Sequence, residues 1–418
     1  MSTTEQDLQH ATTLLSKLQA TDAKALENDS AARHELLQLS RNLTAALENP
    51  VDRATDLVFK PYTTVAARIA VDLNLFQHIC DHVDGITSQK LAELTGADEV
   101  LITRILRLLA ATAHLSESST NTWTANPTTH ALASPPVAAG HRFVYDILVT
   151  AALRTPTYLH ESHYIAPTAP TDGLIQYAHQ TKLPIFDYLA TKPSLLADFN
   201  LFMGHTLGAR SAWHDWYDVE GRILNGFSGG DLVVDVGGGK GHDLAALWAT
   251  HGQHAAWPSS ARLVLQDLPQ VLSAIPPSML PAPITLTPYD FFTPQPVRGA
   301  RVYLLHHILH DWADSYCHTI LTHLREAMAP GYSKLLIHEL VLPDEGASEL
   351  QARFDLVMMT FNGGMERTRG QWRGLLEGAG FCKVRFWEGD DGGDGLVEAE
   401  VVGRGETVEK ETETEIGV

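Results

Sequence analysis

The sequence feature that most constrains the fold is a glycine-rich turn placed directly after an apolar run. The run DLVVDV leads into GGGKG, so that Gly237, Gly239 and Gly241 fall at every second position. A turn this tight between a strand and a helix needs positive φ angles, which glycine adopts without steric cost. Such a turn also lets a ligand lie against bare backbone. The stretch therefore predicts a strand-turn-helix unit with a ligand site at the turn.

Short β-branched runs alternate with helical patterns from residue 230 onward. The runs are DLVVDV, ARLVLQ, ITLTP, ARVYLL, SKLLIHEL, FCKVRFW and LVEAEVVG. Strands separated by helices are typical of βαβ units, so we predict an α/β fold with a doubly wound, mostly parallel, Rossmann-like sheet over residues 206–403. Residues 404–418 are highly charged and nearly free of large apolar side chains, which predicts a disordered tail.

The first half of the chain follows a different pattern. Leucines at helix-like intervals predict a helical N-terminal domain over residues 1–135. Within it, residues 85–115 have the outline of a helix-turn-helix and TWTAN is a candidate wing, so we predict a winged-helix-type unit. A proline-rich hinge then leads into a helical, aromatic segment over residues 136–205.

The predicted helix-turn-helix could bind DNA, or it could be a packing or dimerisation module. Its second helix offers Arg104 and Arg107 among mostly apolar side chains, which need burial against protein. The formal charge of −20 also works against contact with phosphate backbones, because such contact needs clustered Lys and Arg. We therefore favour the packing role and expect no nucleic-acid partner.

Cysteine usage and hydropathy indicate the compartment. Only Cys80, Cys317 and Cys382 occur, and this number and spacing favour neither a disulfide framework nor a thiolate metal site. The N-terminus lacks a basic stretch leading into an apolar one, and no apolar run reaches membrane-spanning length. We expect a cytoplasmic protein with no membrane partner.

The spacing of the glycines indicates the class of ligand. It matches neither the G-x-G-x-x-G fingerprint nor a Walker loop, in which Lys240 would be followed by Ser or Thr. D-x-G-x-G-x-G after a first strand resembles the first motif of class I S-adenosylmethionine-dependent methyltransferases. The carboxylate of Asp235 would face the cationic amino end of that cofactor. We therefore expect Asp235, Gly237 and Gly239 to bind S-adenosylmethionine.

Acidic residues also end the next two predicted strands, at the carboxyl edge where open sheets bind ligands. Asp267 ends the run LVLQD and is placed to accept hydrogen bonds from ribose hydroxyls, with Leu268 beside it. Asp290 ends the following strand, and Phe291 next to it can flank an adenine. We predict that these four residues bind the cofactor.

The tripeptide His-Asp-Trp occurs twice, and its position separates the two copies. His310 follows the strand ARVYLL and should lie at the carboxyl edge beside the cofactor, whereas His214 precedes the whole sheet. We predict that His310 takes part in the chemistry and that His214 is a surface or inter-domain residue. The chain lacks the H-E-x-x-H pattern, so we predict no metal site from His306, His307 and His310.

Several motifs, in the same order along the chain, resemble those of one family. HHILHDWADSYC, HELVLP and FNGGMERTRGQW are similar to stretches of small-molecule O-methyltransferases of the caffeate and hydroxyflavonoid type, including fungal secondary-metabolite relatives. The resemblance implies that His310 is the general base, flanked by Glu339 and Glu366, and that the helix-turn-helix is a dimerisation domain. It also implies cofactor contacts at Asp311 and at His306, where plant members often carry a lysine.

The resemblance implies methyl transfer from S-adenosylmethionine to a phenol or enol hydroxyl of a small secondary metabolite. A neutral imidazole can take the hydroxyl proton as attack on the methyl group begins. A dry pocket would favour this reaction, and we expect the helices of residues 136–205 to close over it. The candidate pocket residues are Phe199, Phe202, Met203, Met359 and Phe361.

Other interpretations stay open at this point. A methyltransferase-fold cyclase or pericyclase would bind the cofactor without transferring its methyl group, and a non-catalytic binding or regulatory module is a third possibility. The apolar helices of residues 51–115 carry more hydrophobic surface than one chain can cover, so we expect a homodimer.

Overall fold

A computed structural model describes residues 3–20, 30–204, 212–276, 278–389 and 394–402. The chain divides into two compact units, which we call the N-terminal unit (Met1–Val149 with Lys192–Ala209) and the sheet unit (Thr150–Thr191 with Arg210–Val418). The predicted disordered tail, residues 404–418, lies outside the described residues. The functional division into domains at residues 1–135, 136–205 and 206–403 stays a prediction.

The N-terminal unit is helical. Its α-helices are Thr3–Ala20, Ser30–Leu47, Pro50–Phe59, Pro61–Asp72, Leu75–Cys80, Ser88–Thr95, Glu99–Ala111, Pro127–Ala133, Pro135–Phe143 and Pro193–Phe202, with a π-helical turn over Val144–Val149. Three short strands, β1 (Ile86–Thr87), β2 (Ser116–Ser119) and β3 (Thr122–Thr124), form an antiparallel sheet in the order β1-β3-β2.

Two helices and a β-hairpin lie within residues 88–124, and their classification as a winged helix stays a prediction. The helix Ser88–Thr95 ends at Gly96, whose φ angle is +73°, and Asp98 caps the next helix by accepting a hydrogen bond from the amide of Leu101 at 2.8 Å. The hairpin is anchored by Trp123, a fully buried side chain whose Nε1 donates to Oγ of Ser88 at 2.9 Å.

The sheet unit contains the predicted α/β fold. Its large sheet is formed by β4 (Gly230–Val236), β5 (Ala261–Asp267), β6 (Ile284–Pro288), β7 (Val302–His306), β8 (Lys334–Glu339), β11 (Cys382–Glu388) and β12 (Gly395–Glu400). The strand order is β11-β12-β8-β7-β4-β5-β6. The neighbours from β8 to β6 are parallel, and β12 is antiparallel to both β8 and β11. Each of the seven predicted runs is a strand, and the Rossmann-like fold is confirmed.

Helices cover the sheet, and side chains alternate between its two faces. The α-helices of this unit are Thr150–Ala152, Thr155–Glu161, Leu174–His179, Ile185–Ala190, Trp213–Trp216, His242–His251, Pro269–Ser273, Asp314–Ala327, Glu349–Asn362 and Arg369–Gly378. Val234 and Leu305 belong to one buried apolar cluster, whereas Val233 and Leu304 belong to the other. This alternation is the pattern of strands that are buried on both sides.

Three smaller elements complete the sheet unit. These are a 3₁₀ turn over Leu309–Asp311, a π-helical turn over Glu220–Leu224, and a parallel pair of two-residue strands, β9 (Val341–Leu342) with β10 (Arg367–Thr368). Among the described helices, none combines the length and apolar composition that crossing a bilayer requires.

Candidate active site

The glycine turn after β4 has the backbone geometry that the sequence predicts. Gly237, Gly239 and Gly241 have φ angles of +75°, +57° and +78°, a region that L side chains rarely adopt. Space is limited as well, because a Cβ on Gly237 would lie 2.7 Å from Cδ1 of Ile308. The amide of Gly237 donates to the carbonyl of Gln266 at 2.8 Å and ties the turn to β5. The turn therefore presents bare backbone at the carboxyl edge of the sheet.

Asp235 is fully buried beneath this turn, and a Cβ on Gly238 would clash with its carboxylate. Among the described residues, neither carboxylate oxygen of Asp235 has a hydrogen-bond partner. Burial and the nearby charge of Asp243 raise the pKa of Asp235 well above its usual value. A cation bound at the turn would favour the carboxylate form. The residue therefore fits the cationic end of S-adenosylmethionine.

Asp267 ends β5 and holds the glycine turn in place. Its carboxylate accepts hydrogen bonds from the amide of Gly239 at 2.8 Å and from the amide of Leu268 at 2.7 Å. Burial raises the pKa of Asp267. Each carboxylate oxygen has a further lone pair, which can accept from a ligand hydroxyl. Leu268 is 38% exposed, so its side chain is accessible next to this carboxylate.

The residues after β6 form an aromatic group. Asp290 is exposed, and its carboxylate accepts from the amide of Phe292 at 3.0 Å. The Phe291 and Phe292 rings meet edge to face with centroids 5.0 Å apart, and Trp312 contacts both rings. Phe291 lies 3.7 Å from the position that a Cβ on Gly237 would take. An apolar ring therefore borders the glycine turn, as a site for an adenine requires.

His310 lies in the 3₁₀ turn after β7, and two glutamates surround it. Its Nδ1 lies 2.9 Å from Oε1 of Glu366 and 3.4 Å from Oε2 of Glu339. All three side chains are buried. A carboxylate that holds Nδ1–H leaves Nε2 as the nitrogen that can exchange a proton with a ligand. Nε2 lies 3.7 Å from Oδ1 of Asp311.

The backbone of this turn is fixed from several sides. Oε1 of Glu339 accepts from the amides of Ile308, Leu309 and His310 at 3.1, 2.8 and 3.3 Å. The carbonyl of His310 accepts from the amide of Met365 at 2.9 Å, which joins the turn to the loop that carries Glu366. The fully buried Arg367 donates to the carbonyl of Leu309 at 3.0 Å. The imidazole is therefore held in one orientation before any ligand binds.

The surrounding charges make His310 a strong base. Burial alone would lower its pKa, but the charge of Glu339, the hydrogen bond to Glu366 and the charge of Asp311 together raise the pKa of His310 to about 10. Burial also raises the pKa of Asp311 to about 7, against the opposing effect of His310. A base of this strength matches a phenol, whose ordinary pKa is about 10.

His306, His307 and His338 form a second polar group close to His310. His306 Nδ1 lies 2.8 Å from Oδ2 of Asp243, and His307 Nε2 lies 3.1 Å from Oδ2 of Asp394. Burial would lower the pKa of His306, but the charge of Asp243 and the hydrogen bond to it raise that pKa. Burial lowers the pKa of His338 to about 3. Three sets of potential metal ligands lie in the described part of the chain: Asp243, His306 and His338; His306, His307 and Asp394; and His310, Glu339 and Glu366.

The candidate pocket residues belong to both units. Met359 and the buried Phe361 lie on the helix Glu349–Asn362 of the sheet unit, and the Phe361 ring contacts Phe186 with centroids 5.6 Å apart. In the N-terminal unit, the Phe199 ring lies 5.1 Å from the Phe143 ring, Phe202 packs against Gly140, and Met203 follows the helix Pro193–Phe202. Their contact with a substrate stays a prediction.

The surface alternative predicted for His214 is wrong, and two residues, Asp243 and His338, were missed. His214 is not on the surface: only 3% of it is exposed, because it packs between Trp213 and His251. Asp243 and His338 were not predicted as site residues, although Asp243 lies in the first turn of the helix after the glycines. His338 could have been found from the alternation of side chains along β8, because successive residues of a strand point to opposite faces and His338 precedes Glu339.

A mostly parallel sheet with this glycine turn and these acidic strand ends is the cofactor-binding fold of an S-adenosylmethionine-dependent methyltransferase. Residues 170–382 match the family model described as an O-methyltransferase domain. The chain is 47% identical over 393 residues to the O-methyltransferase penC of Penicillium thymicola, across 93% of this chain and 96% of the relative. The chain therefore belongs to this O-methyltransferase family, and its cofactor is S-adenosylmethionine.

Solved structures agree with this assignment. The LepI complex with S-adenosylmethionine has a TM-score of 0.81 and 27% sequence identity, covering 95% of this chain and all 100% of that one. A structure described as a pericyclic reaction enzyme has a TM-score of 0.80 and 28% identity, covering 94% of this chain and 100% of the other. The fold is therefore similar to that of a protein solved with S-adenosylmethionine and to that of a pericyclic reaction enzyme.

Proposed function

We propose that this enzyme transfers the methyl group of S-adenosylmethionine to a phenol or enol hydroxyl of a small secondary metabolite, in the cytoplasm, with His310 as the general base. The proposal rests on one observation: Nδ1 of His310 lies 2.9 Å from Oε1 of Glu366, and the side chains of Glu339 and Glu366 next to it are buried. That contact would fix the tautomer and leave Nε2 as the nitrogen that can accept a proton from a hydroxyl.

The proton balance follows from the raised pKa of His310, about 10. In the ligand-free protein the imidazole is protonated near neutral pH. A bound phenol of similar acidity can share the proton at little cost, so imidazole with phenol and imidazolium with phenolate interconvert readily. Both pairs contain one proton fewer than imidazolium with a neutral phenol, so binding of a neutral phenol must release one proton to solvent before the oxygen can attack. The second pair places a nucleophilic oxygen anion next to Nε2, where the imidazolium stabilises it.

The cofactor supplies an electrophilic methyl group on a sulfonium ion when it is bound. The residues proposed to hold it are those gathered around the glycine turn: Asp235, Gly237, Gly239, Asp267, Leu268, Asp290, Phe291, His306 and Asp311. Asp267 would accept from the ribose hydroxyls, and Phe291 would cover the adenine. Asp235 would stabilise the amino group from beneath the turn.

A homodimer is part of the proposal. The helix Pro50–Phe59 has no buried residue in the part of the chain that is described. Leu57, Val58 and Phe59 are 66%, 70% and 58% exposed, and Tyr62 on the next helix is 64% exposed. Contiguous apolar surface of this kind is normally covered by a partner, and two-fold dimers are the commonest soluble assemblies. We propose that a second copy of the chain covers it.

A pericyclase or cyclase is the second candidate, favoured by the similarity to a pericyclic reaction enzyme. In that reaction the cofactor would be bound but not consumed. His310 could also serve a dehydration as a base, so the catalytic group alone does not separate the two activities.

The role of His310 is tested by replacing it with alanine. Loss of a general base should lower turnover by about 10²–10⁴-fold. His254→Ala is the matched control, because this histidine is exposed and lies away from the site residues in sequence. Equal losses in both variants, or turnover within a few fold of wild type for His310→Ala, would contradict the proposed role.

A further inference from the structure

The side chains of Asp243, His306 and His338, here called the histidine-aspartate cluster, lie outside the proposed catalytic trio, although His306 is also one of the residues proposed to hold the cofactor. Their ligand atoms all lie within 4.8 Å of one another. The rings of His306 and His338 have centroids 4.1 Å apart, and Oδ2 of Asp243 lies 2.8 Å from Nδ1 of His306. The cluster thus brings together two imidazoles and one carboxylate, and both types of group bind transition metals in proteins.

The fold positions these side chains on rigid elements. The parallel register of β7 and β8 pairs His306 directly with His338, so both side chains leave the sheet on the same face. Asp243 lies in the first turn of the helix His242–His251, which starts at the glycine turn. Because none of the three lies on a long loop, their separation is set by the sheet and by one helix end.

His338 has an unsatisfied group that a ligand would explain. Only 4% of the residue is exposed, and within the described ranges its Nδ1 has no hydrogen-bond partner. A buried polar atom without a partner costs free energy, and such atoms are rare in native proteins unless something binds them. Because the imidazole ring of His338 also contacts the ring of His306, its unsatisfied Nδ1 belongs to the histidine-aspartate cluster.

The two other candidate sets are less suited to a metal ion. In the catalytic trio, Oε1 of Glu339 already accepts from backbone amides and Nδ1 of His310 is bound to Glu366. An ion there would have to replace the hydrogen bond between His310 and Glu366, which the proposed function needs to fix the tautomer. In the set of His306, His307 and Asp394, Nε2 of His307 is already paired with Asp394. In the histidine-aspartate cluster one hydrogen bond, between His306 and Asp243, must also give way. Of the three sets, however, only this one contains a buried imidazole nitrogen that has no hydrogen-bond partner among the described residues, Nδ1 of His338.

We propose that Asp243, His306 and His338 form a binding site for a divalent transition-metal ion of the zinc type. Two imidazoles and one carboxylate are the protein ligands of many zinc sites that keep a further position open. A tetrahedral ion with bonds of about 2.0–2.1 Å needs ligand atoms roughly 3.4 Å apart, so the side chains would have to adjust from separations of up to 4.8 Å. Because two of the three ligands are imidazoles, Zn²⁺ and Co²⁺ should bind in preference to Mg²⁺.

Metal binding is measured directly, without any substrate. The full-length protein is treated with a chelator, dialysed, and titrated with Zn²⁺ by calorimetry and with Co²⁺ by visible absorption. We expect one ion per chain, a cobalt spectrum typical of four or five ligands, and no saturable binding of Mg²⁺. Bound Zn²⁺ should also raise the midpoint of thermal unfolding, because it binds the folded state.

Variants assign the ligands. His338→Gln and Asp243→Asn approximately keep the size of each side chain. Each should weaken Zn²⁺ binding by more than about 100-fold, because about 100-fold is the upper limit for losing a residue that only hydrogen-bonds a metal ligand. His338→Cys should keep binding, because a thiolate is also a zinc ligand. Thermal unfolding without metal shows whether each variant is folded. His254→Ala, which removes an exposed histidine, should bind as the wild type does.

Two further variants separate the competing sets. His310→Gln and Asp394→Asn should retain Zn²⁺ affinity within a few fold, since neither residue belongs to the proposed site. Loss of binding in His310→Gln would place the ion on the catalytic trio, and loss in Asp394→Asn would place it on the set with His307. Either result would overturn the proposal. So would a wild-type protein that shows no saturable binding of Zn²⁺. None of these outcomes depends on whether the enzyme transfers a methyl group.

Discussion

The charge of Glu339 should control the basicity of His310, and Glu339→Gln isolates that charge. The carboxylate lies 3.4 Å from Nδ1 of His310, and its charge is the largest of the influences that raise this pKa to about 10. A glutamine has the same shape, and its oxygen can still accept from the three backbone amides that Oε1 now binds. The substitution should therefore remove the charge and keep the turn.

The size of the effect follows from the distance. An opposite charge within hydrogen-bonding reach shifts a pKa by about 1–3 units. Removing the negative charge destabilises the imidazolium, so the pKa of His310 should fall by this amount, from about 10 toward the ordinary value of 6.5. At about 1.4 kcal/mol per unit, the lost interaction amounts to roughly 1.4–4 kcal/mol.

Nuclear magnetic resonance of the imidazole nitrogens measures this pKa without a substrate. The signal of His310 is assigned by its absence in His310→Gln. In the wild type the ring should stay protonated past neutral pH, whereas in Glu339→Gln it should lose its proton at a distinctly lower pH. Glu377→Gln is the control, because this glutamate is exposed on the helix Arg369–Gly378. A wild-type midpoint near the ordinary value, or equal midpoints in wild type and Glu339→Gln, would refute the electrostatic reasoning.

Two more predictions concern the cofactor and the assembly. Asp267→Ala should weaken S-adenosylmethionine binding by about 1.5–3 kcal/mol, the range for losing a charged hydrogen-bond partner, and unchanged affinity by calorimetry would exclude the ribose contact. Phe59→Glu should convert the proposed homodimer to a monomer, as measured by light scattering at micromolar concentration, because it buries a charge in an apolar interface. A wild-type protein that is monomeric in the same measurement would refute the dimer itself.

The positions along the sheet could be predicted because they depend on local patterns. Each strand corresponds to an apolar run in the sequence. The three glycines predict the tight turn, because Gly237, Gly239 and Gly241 have positive φ angles that other residues rarely adopt. The carboxyl edge then follows from the parallel order of the strands. For this reason Asp235 and Asp267 could be placed at the site from the sequence.

Contacts between distant segments could not be predicted from the residues alone. Glu366 meets His310 across 56 positions of sequence, and the resemblance to a family, rather than any spacing, indicated that pair. Asp243 and His338 were missed because they join His306 from a helix and a neighbouring strand. The register that pairs His306 with His338 is a property of the folded sheet.

The error at His214 has a similar cause. The sequence shows that this histidine precedes the sheet, and a polar side chain there suggests a surface position. In the fold it is packed against the aromatic ring of Trp213 and against His251, and burial lowers its pKa, although Oδ1 of Asp215 lies 3.3 Å from Nδ1. Hydrophobic clustering around a polar residue is not visible in a local pattern.

The fate of the cofactor tests methyl transfer most directly. The purified enzyme is incubated with candidate phenolic and enolic metabolites and S-adenosylmethionine, and the mass of the product is measured together with the amount of S-adenosylhomocysteine. We expect a product heavier than its substrate by one methylene unit, with S-adenosylhomocysteine formed in equal amount. A product with the mass of the substrate, or that mass less one water, formed without S-adenosylhomocysteine, would contradict methyl transfer and identify a cyclase.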